Sequence, residues 1–175
     1  DPAHRLNALE LGGGALLDLG IYPISFVWDI LGAPQTIQAA GRLVETGADS
    51  EVATVMTHAG GAVSTTLSSS RAAGPNTAAV IGTKARAVLD RVWYTPTSFQ
   101  VIATDGTVLD EYTSEVEGRG MQFQALYAEE LLRTGRTDSA LLGFDESVRI
   151  MRTLDDIRAQ LGVAYPSLIE TAEER

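Results

Sequence analysis

An aspartate and a tyrosine stand four residues apart in an otherwise apolar run that follows three glycines, Gly12-Gly13-Gly14. In a helix this spacing places Asp18 and Tyr22 on one face. A carboxylate in such a run is expensive to bury without a partner, and a positioned phenol can transfer a proton. The pair is the first candidate for acid/base chemistry. The structural alternatives are a local cap or salt bridge for Asp18 and an aromatic filler for Tyr22.

The segment that positions this pair is a glycine-opened helix with a proline inside it. Glycines suit a backbone that another backbone or a ligand must approach closely. Pro23 cannot donate the helical bond to Leu19 and disfavours the α region at Tyr22, which predicts a kink there. Beyond it, apolar residues recur at helical spacing up to Gly32, so the segment is predicted to be a buried helix.

The run GGGALLDLGIYP resembles the segment that opens the C-terminal domain of the glucose-fructose oxidoreductase and inositol dehydrogenase family. With Tyr22 where many members have histidine, the chain resembles the branch of the dihydrodiol dehydrogenases and the glucose-fructose oxidoreductases. Asp1-Pro2 and His4-Arg5 upstream, and residues 144–147 and 151–154 downstream, also fit the pattern. The resemblance spans roughly residues 1–166.

This resemblance implies a substrate-binding domain of an NAD(P)-dependent oxidoreductase that acts on the CH–OH group of a sugar, polyol or diol. It implies that Tyr22 transfers the hydroxyl proton, assisted by a lysine from another domain, and that Asp18 holds a substrate hydroxyl. His4 and Arg5 are expected to reach the substrate. Gly13 and Gly14 are expected near the nicotinamide.

The dinucleotide-binding turn G-x-G-x-x-G does not occur in these 175 residues. The chain also begins at Asp1, so we interpret it as the C-terminal portion of a longer enzyme. We expect NAD or NADP to bind the longer protein and no cofactor to bind this portion alone.

Composition agrees with a globular domain over residues 1–166 and an acidic tail over residues 167–175. The chain is 45% hydrophobic, and its net charge of −10 opposes binding to nucleic acid and to anionic membranes. With no Cys and two His, no metal site is expected. No long uncharged apolar run suggests a membrane span, and the lack of Cys is compatible with a cytoplasmic location.

The order of the predicted elements indicates an α+β fold, with helices packed on one face of a mostly antiparallel open sheet. The first three strands are predicted at 35–44, 51–58 and 62–70, bounded by Gly-Ala-Asp and Ala-Gly-Gly turns. A broken strand region at 77–91 follows, and then a hairpin at 98–112 around Asp105-Gly106. Two amphipathic helices complete the pattern, one ending near Gly135 and one running from a cap at Asp145 to Gly162. The apolar face of the first helix is predicted to consist of Phe123, Leu126, Tyr127 and Leu131. That of the second is predicted to consist of Val148, Met151, Leu154, Ile157 and Leu161.

Four hydroxyl residues, Ser64, Thr66, Ser68 and Ser70, alternate along one face of the third strand. From the residues alone, a solvated face is favoured over packing on another sheet. The resemblance favours the second alternative, because members associate through the open face of this sheet. We therefore expect a homo-oligomer in which this face, or the face behind it, is buried.

Two other classes of function stay open. One is a non-catalytic assembly or sensor module, in which the glycine-opened helix is only scaffold. The other is a cofactor-free isomerase that uses Asp18 and Tyr22 for proton transfer in an enclosed pocket. An exposed Tyr22 favours an active site completed by another domain, whereas an enclosed Tyr22 favours the isomerase.

Overall fold

The computed structural model describes residues 1–166, so the predicted acidic tail lies outside the described residues. The chain divides into two compact units. The first unit contains residues 1–72 and, of the described residues, 141–166; the second contains residues 73–140. Each unit is built around its own antiparallel sheet.

The glycine-opened segment is helical in three consecutive pieces. A short 3-10 turn spans Leu9–Leu11, a π-helical turn spans Leu16–Gly20, and helix α1 spans Ile21–Leu31. Helix α1 ends at Gly32 as predicted, with φ of 74° at that glycine. The prediction that Tyr22 leaves the α region is wrong, because Tyr22 lies inside α1. Pro23 falls in the first turn of α1, where a missing N–H is tolerated, and the helical irregularity lies just upstream as the π turn.

Three antiparallel strands form the sheet of the first unit, in the order β1-β2-β3. They span Pro34–Leu43, Asp49–His58 and Val63–Ser69, close to the predicted ranges. The inner face carries the hydroxyl residues of β3: Ser64 and Ser68 are buried, and Thr66 pairs with Thr54 at 2.7 Å between the hydroxyl oxygens. The solvated hydroxyl face that the residues alone favoured is therefore wrong. This face is also covered within the chain, so the expected association with another copy concerns the face behind it. The exposed face of β3 carries Val63 and Leu67 instead.

Helix α3, Phe144–Leu161, packs on β1 and α1. Its buried residues are Ile150, Thr153, Leu154 and Ile157. The predicted face is thus partly wrong, because Val148 and Met151 are 49% and 45% exposed. Asp145 is not the cap either: Gly143 occupies that position, and Asp145 lies in the first turn.

The core of the first unit joins the π turn, α1, β2 and α3. Trp28 of α1 donates its indole N–H to the Thr153 hydroxyl at 3.2 Å, which gives its polar edge a buried partner. Helices thus cover one face of this sheet, as predicted. The buried cluster consists of Leu16, Ile24, Val27, Trp28, Val52, Met56, Ile150, Leu154 and Ile157.

The second unit contains a four-stranded antiparallel sheet in the order β4-β5-β6-β7. Its strands span Ala78–Ile81, Ala85–Leu89, Phe99–Ala103 and Val108–Tyr112, and the predicted turn at Asp105-Gly106 joins the last two. Helix α2, Met121–Arg133, belongs to this unit. Phe123 and Leu126 of α2 are 54% and 60% exposed, so the predicted burial of that face is not observed.

The α+β class and the antiparallel strands are confirmed, but the strands are shared between two sheets where one was predicted. No pairing joins β3 to β4 in the described part of the chain. The connection contains Gly74-Pro75, and a proline lacks the N–H that a continuing strand ladder needs.

The helical run Leu9–Leu31 is long and apolar enough to cross a membrane by length and composition alone. Core helices of soluble proteins pass the same test, and Leu16, Ile24 and Trp28 of this run are buried in the core of the first unit. The expectation of no membrane partner stays a prediction.

Candidate functional site

Asp18 is held by an arginine from the segment that precedes the glycines. Arg5 donates from Nη1 to Asp18 Oδ1 at 2.7 Å, and the side chains are 65% and 30% exposed. The hydrogen bond and the charge of Asp18 raise the pKa of Arg5. Two predicted site residues are thus in direct contact. Because an ionised carboxylate has about four acceptor positions, a single arginine contact leaves Asp18 able to accept from a substrate hydroxyl.

Tyr22 lies in the first turn of α1, directly after the π turn that carries Asp18. Tyr22 is 44% exposed, whereas Ile24, two positions later on the opposite side of the helix, is fully buried. The helix therefore directs Ile24 into the core and leaves the Tyr22 side chain accessible. Proton transfer to a molecule outside this chain needs such accessibility.

Gly13 and Gly14 are buried against the chain's own atoms. A Cβ on Gly13 would lie 2.7 Å from the carbonyl oxygens of Arg5 and Ala8. A Cβ on Gly14, whose φ is 143°, would lie 2.2 Å from Asp49 Oδ1. Close packing within the domain thus explains both glycines. Their expected position near a nicotinamide stays a prediction.

Asp49, the first residue of β2, is the acidic residue buried beside these glycines, with a relative exposure of 1%. Its Oδ2 accepts the backbone N–H of Leu16 at 2.6 Å, while Oδ1 has no hydrogen-bond partner among the described residues. Burial raises the pKa of Asp49, and its backbone hydrogen bonds oppose that rise. Sequence reasoning placed Asp49 in a turn and missed this contact, because its partner lies 33 positions earlier.

Tyr165 reaches the same glycine segment from beyond α3. Its hydroxyl donates to the carbonyl of Gly13 at 2.9 Å, and Arg158 lies over its ring at 5.2 Å. Burial, and secondly the charge of Asp49, raise the pKa of Tyr165. No motif marks Tyr165 in the sequence, because its partner Gly13 lies 152 positions earlier.

His4 is exposed and lines a surface groove that neither Arg5 nor Asp18 lines. The same groove is lined by Arg42, Ser70 and Arg71. His4 accepts the backbone N–H of Leu6 on Nδ1 at 3.3 Å. Its predicted contact with substrate stays untested. Among residues 1–166, no group of three or more His, Asp or Glu side chains could hold a metal ion.

Residues 1–88 match the family model described as the GFO/IDH/MocA C-terminal domain. The chain belongs to the GFO/IDH/MocA family. A trans-1,2-dihydrobenzene-1,2-diol dehydrogenase from Mus musculus is 36% identical over 168 residues, which cover 93% of this chain and 50% of the relative. A D-xylose 1-dehydrogenase (NADP(+)) from Hypocrea jecorina is 30% identical over 191 residues, which cover 97% of this chain and 49% of the relative.

The GFO/IDH/MocA chain spans about half the length of the curated relatives it matches. Among solved structures it is similar to the aldose-aldose oxidoreductase from Caulobacter crescentus, with a TM-score of 0.76 and 20% identity. That match covers 92% of this chain and 49% of the other. At this identity the likeness concerns the fold, and it confirms the predicted fold of a family C-terminal domain.

Proposed function

We propose that this chain is the substrate-binding domain of an NAD(P)-dependent oxidoreductase that acts on the CH–OH group of a sugar, polyol or diol. The observation that carries the proposal is an exposed tyrosine four positions after a carboxylate held by arginine, on the helical run that opens a GFO/IDH/MocA domain. The two curated relatives named above are dehydrogenases of a diol and of a sugar. In this proposal, the remainder of the site is supplied by another part of the protein, since the chain spans about half the length of these relatives.

The chain's own residues take part in the proton half of the reaction. When bound, the nicotinamide would accept hydride from the carbon during oxidation and return it during reduction. Tyr22 takes the hydroxyl proton in the first direction and donates it in the second. A phenol has a reference pKa of about 10, so a nearby cation must favour its ionised form for oxidation at neutral pH. Asp18 accepts a hydrogen bond from a substrate hydroxyl, and Arg5 holds that carboxylate in place.

The exposure of Tyr22 favours this split site over the cofactor-free isomerase. An isomerase contained in this chain needs an enclosed Tyr22, yet Tyr22 is 44% exposed to solvent. The assembly module is the other alternative. It is tested by whether the phenol matters for turnover.

The decisive substitution is Tyr22→Phe in the longer protein that carries this chain. It removes the hydroxyl and keeps the ring, so we expect kcat to fall by about 10² to 10⁴ while folding stability changes little. The assay is cofactor reduction with diols and aldoses, alongside thermal unfolding. Tyr112→Phe is the matched control, because Tyr112 is 46% exposed on β7. Turnover at the wild-type level in Tyr22→Phe would contradict the role of the phenol.

Asp18→Asn tests the carboxylate separately. It preserves volume and removes the charge, so we expect a raised KM with a smaller fall in kcat, measured with the same assay. Arg133→Met serves as the control, because it breaks an exposed ion pair with Glu130 in the second unit. An unchanged KM in Asp18→Asn would exclude the hydroxyl-binding role.

We further propose that two copies associate through the open face of the three-stranded sheet. Val55, Val63 and Leu67 lie on that face and are 46%, 61% and 76% exposed. Small and apolar side chains allow sheets to pack face to face. We also propose a cytoplasmic location, with which the lack of Cys is compatible.

A further inference from the structure

The backbone between Gly12 and Gly14 has no side chains with which to anchor itself. Glycine loses more conformational freedom on folding than other residues, so this segment needs contacts from outside. The π turn with Asp18 starts directly after it, at Leu16, and Tyr22 follows within the next turn. The glycine segment therefore lies at the N-terminal end of the helical run that carries both candidate site residues.

Two buried side chains from distant parts of the sequence hold this segment. Asp49 accepts the N–H of Leu16, and Tyr165 donates to the carbonyl of Gly13. Both side chains are more than nine-tenths buried. The contacts flank Gly14, whose Cα lies so close to Asp49 that no Cβ fits between them.

The carboxylate of Asp49, on strand β2, caps the start of the π turn from outside the helix. The N–H groups at the start of a helix lack partners within the helix, and an anion there also interacts favourably with the helix dipole. Ala15, which precedes the π turn, makes no side-chain cap of its own. Burying a carboxylate is costly, so the position of Asp49 requires a compensating contact, and the Leu16 N–H provides one.

We propose that Asp49 and Tyr165 are positioning residues that clamp Gly13–Leu16 and thereby set the placement of Asp18 and Tyr22. Neither residue touches the substrate in this arrangement. The structural part of the inference stands on the two hydrogen bonds. Only its consequence for turnover rests on the proposed function.

The clamp is tested by hydrogen exchange in the longer protein, with the variants Asp49→Ala, Asp49→Asn and Tyr165→Phe. Asp49→Asn keeps an acceptor for the Leu16 N–H, so it should recover part of what Asp49→Ala loses. Ser50→Ala is the matched control, because Ser50 is equally buried on β2 but bonds to the Arg42 carbonyl.

We expect amide exchange in residues 14–22 to accelerate by about tenfold in Asp49→Ala and Tyr165→Phe, with β2 and β3 unchanged. Ser50→Ala should leave residues 14–22 at the wild-type rate. In the dehydrogenase assay, kcat should fall by about tenfold or more in Asp49→Ala, with a smaller change in KM and partial recovery in Asp49→Asn.

Exchange that rises no more in residues 14–22 than in β2 and β3, or that rises equally in Ser50→Ala, overturns the clamp. If Asp49→Ala does not fold, Asp49→Asn and Tyr165→Phe decide by the same criterion. A wild-type protein without dehydrogenase activity overturns the proposed function, and the exchange rates still decide the clamp.

Discussion

At the scale of residues, the buried carboxyl of Asp49 contrasts with the accessible one of Asp18. Asp18 is partly solvated and paired with Arg5, whereas Asp49 is buried with one oxygen unpaired among the described residues. Water and a cation stabilise the charge of the first. The second has mainly a backbone N–H, and burial raises the pKa of this Asp49 carboxyl.

We predict that Asp49 lowers stability as the pH rises. Burial raises its pKa in the folded chain above the unfolded value of 3.8, so the folded state binds this proton more tightly. Its favourable contribution is complete below that value and is lost as the pH rises through the raised pKa. The free energy of unfolding of the wild type, relative to that of Asp49→Asn, should therefore fall as the pH rises from 4. The total fall is about 1.4 kcal/mol for each pH unit by which the folded pKa of Asp49 exceeds the unfolded pKa.

Urea denaturation of both proteins between pH 4 and 7 measures this difference. Asp156→Asn, at an exposed position of α3, controls for the change of net charge. A difference that grows with pH would show that hydrogen bonding outweighs burial at Asp49.

At the scale of elements, α3 shows how packing selects one helical face from two plausible ones. Apolar residues recur on two overlapping stripes of this helix, and the structure buries Ile150, Leu154 and Ile157 while Met151 stays 45% exposed. A polar residue, Thr153, completes the buried stripe because the Trp28 indole supplies its partner. Periodicity alone cannot weigh that hydrogen bond.

Leu154→Ala should destabilise the chain by about 2 to 5 kcal/mol, the usual cost of a core cavity. Leu154 is fully buried and belongs to the cluster that supports α1. Met151→Ala is the control on the same helix and should cost less than about 1 kcal/mol, since exposed positions contribute little. Chemical denaturation measures both, and equal losses would show that the helix packs on the other stripe.

At the scale of the whole molecule, the outer face of the three-stranded sheet exposes apolar side chains in the described part of the chain. Among residues 1–166, helices pack on its inner face, where the hydroxyl residues of β3 lie. Its outer face presents apolar side chains from β2 and β3 to solvent. A second copy can bury them if the interface reaches roughly 1,000 Å².

We predict a dimer that Leu67→Glu disrupts, because a charge at the centre of a paired sheet face would be buried without a partner. Sedimentation velocity of the longer protein at tens of micromolar measures the change from dimer to monomer. Ile81→Glu is the control, since Ile81 is 79% exposed in the other sheet. A wild-type monomer at that concentration, or an intact Leu67→Glu dimer, would contradict the proposed interface.

Local sequence determined the features that depend on neighbouring residues. The strand ranges of the first sheet, the Asp105-Gly106 hairpin and the helix end at Gly32 follow from turn chemistry and period-two alternation. The glycine-opened motif with Asp18 and Tyr22 was also readable, as was the family. These signals span a dozen residues or fewer, so one sequence contains them completely.

Tertiary structure alone decided which faces are inside and what holds the motif. The contacts of Asp49 with Leu16, Tyr165 with Gly13, and Trp28 with Thr153 join residues separated by 33, 152 and 125 positions. Nothing local specifies such pairs, because they form only when the chain packs. The inward orientation of the hydroxyl face of β3 has the same origin. Buried polar side chains need hydrogen-bond partners, and packing places His58 beside Ser64 and Thr54 beside Thr66.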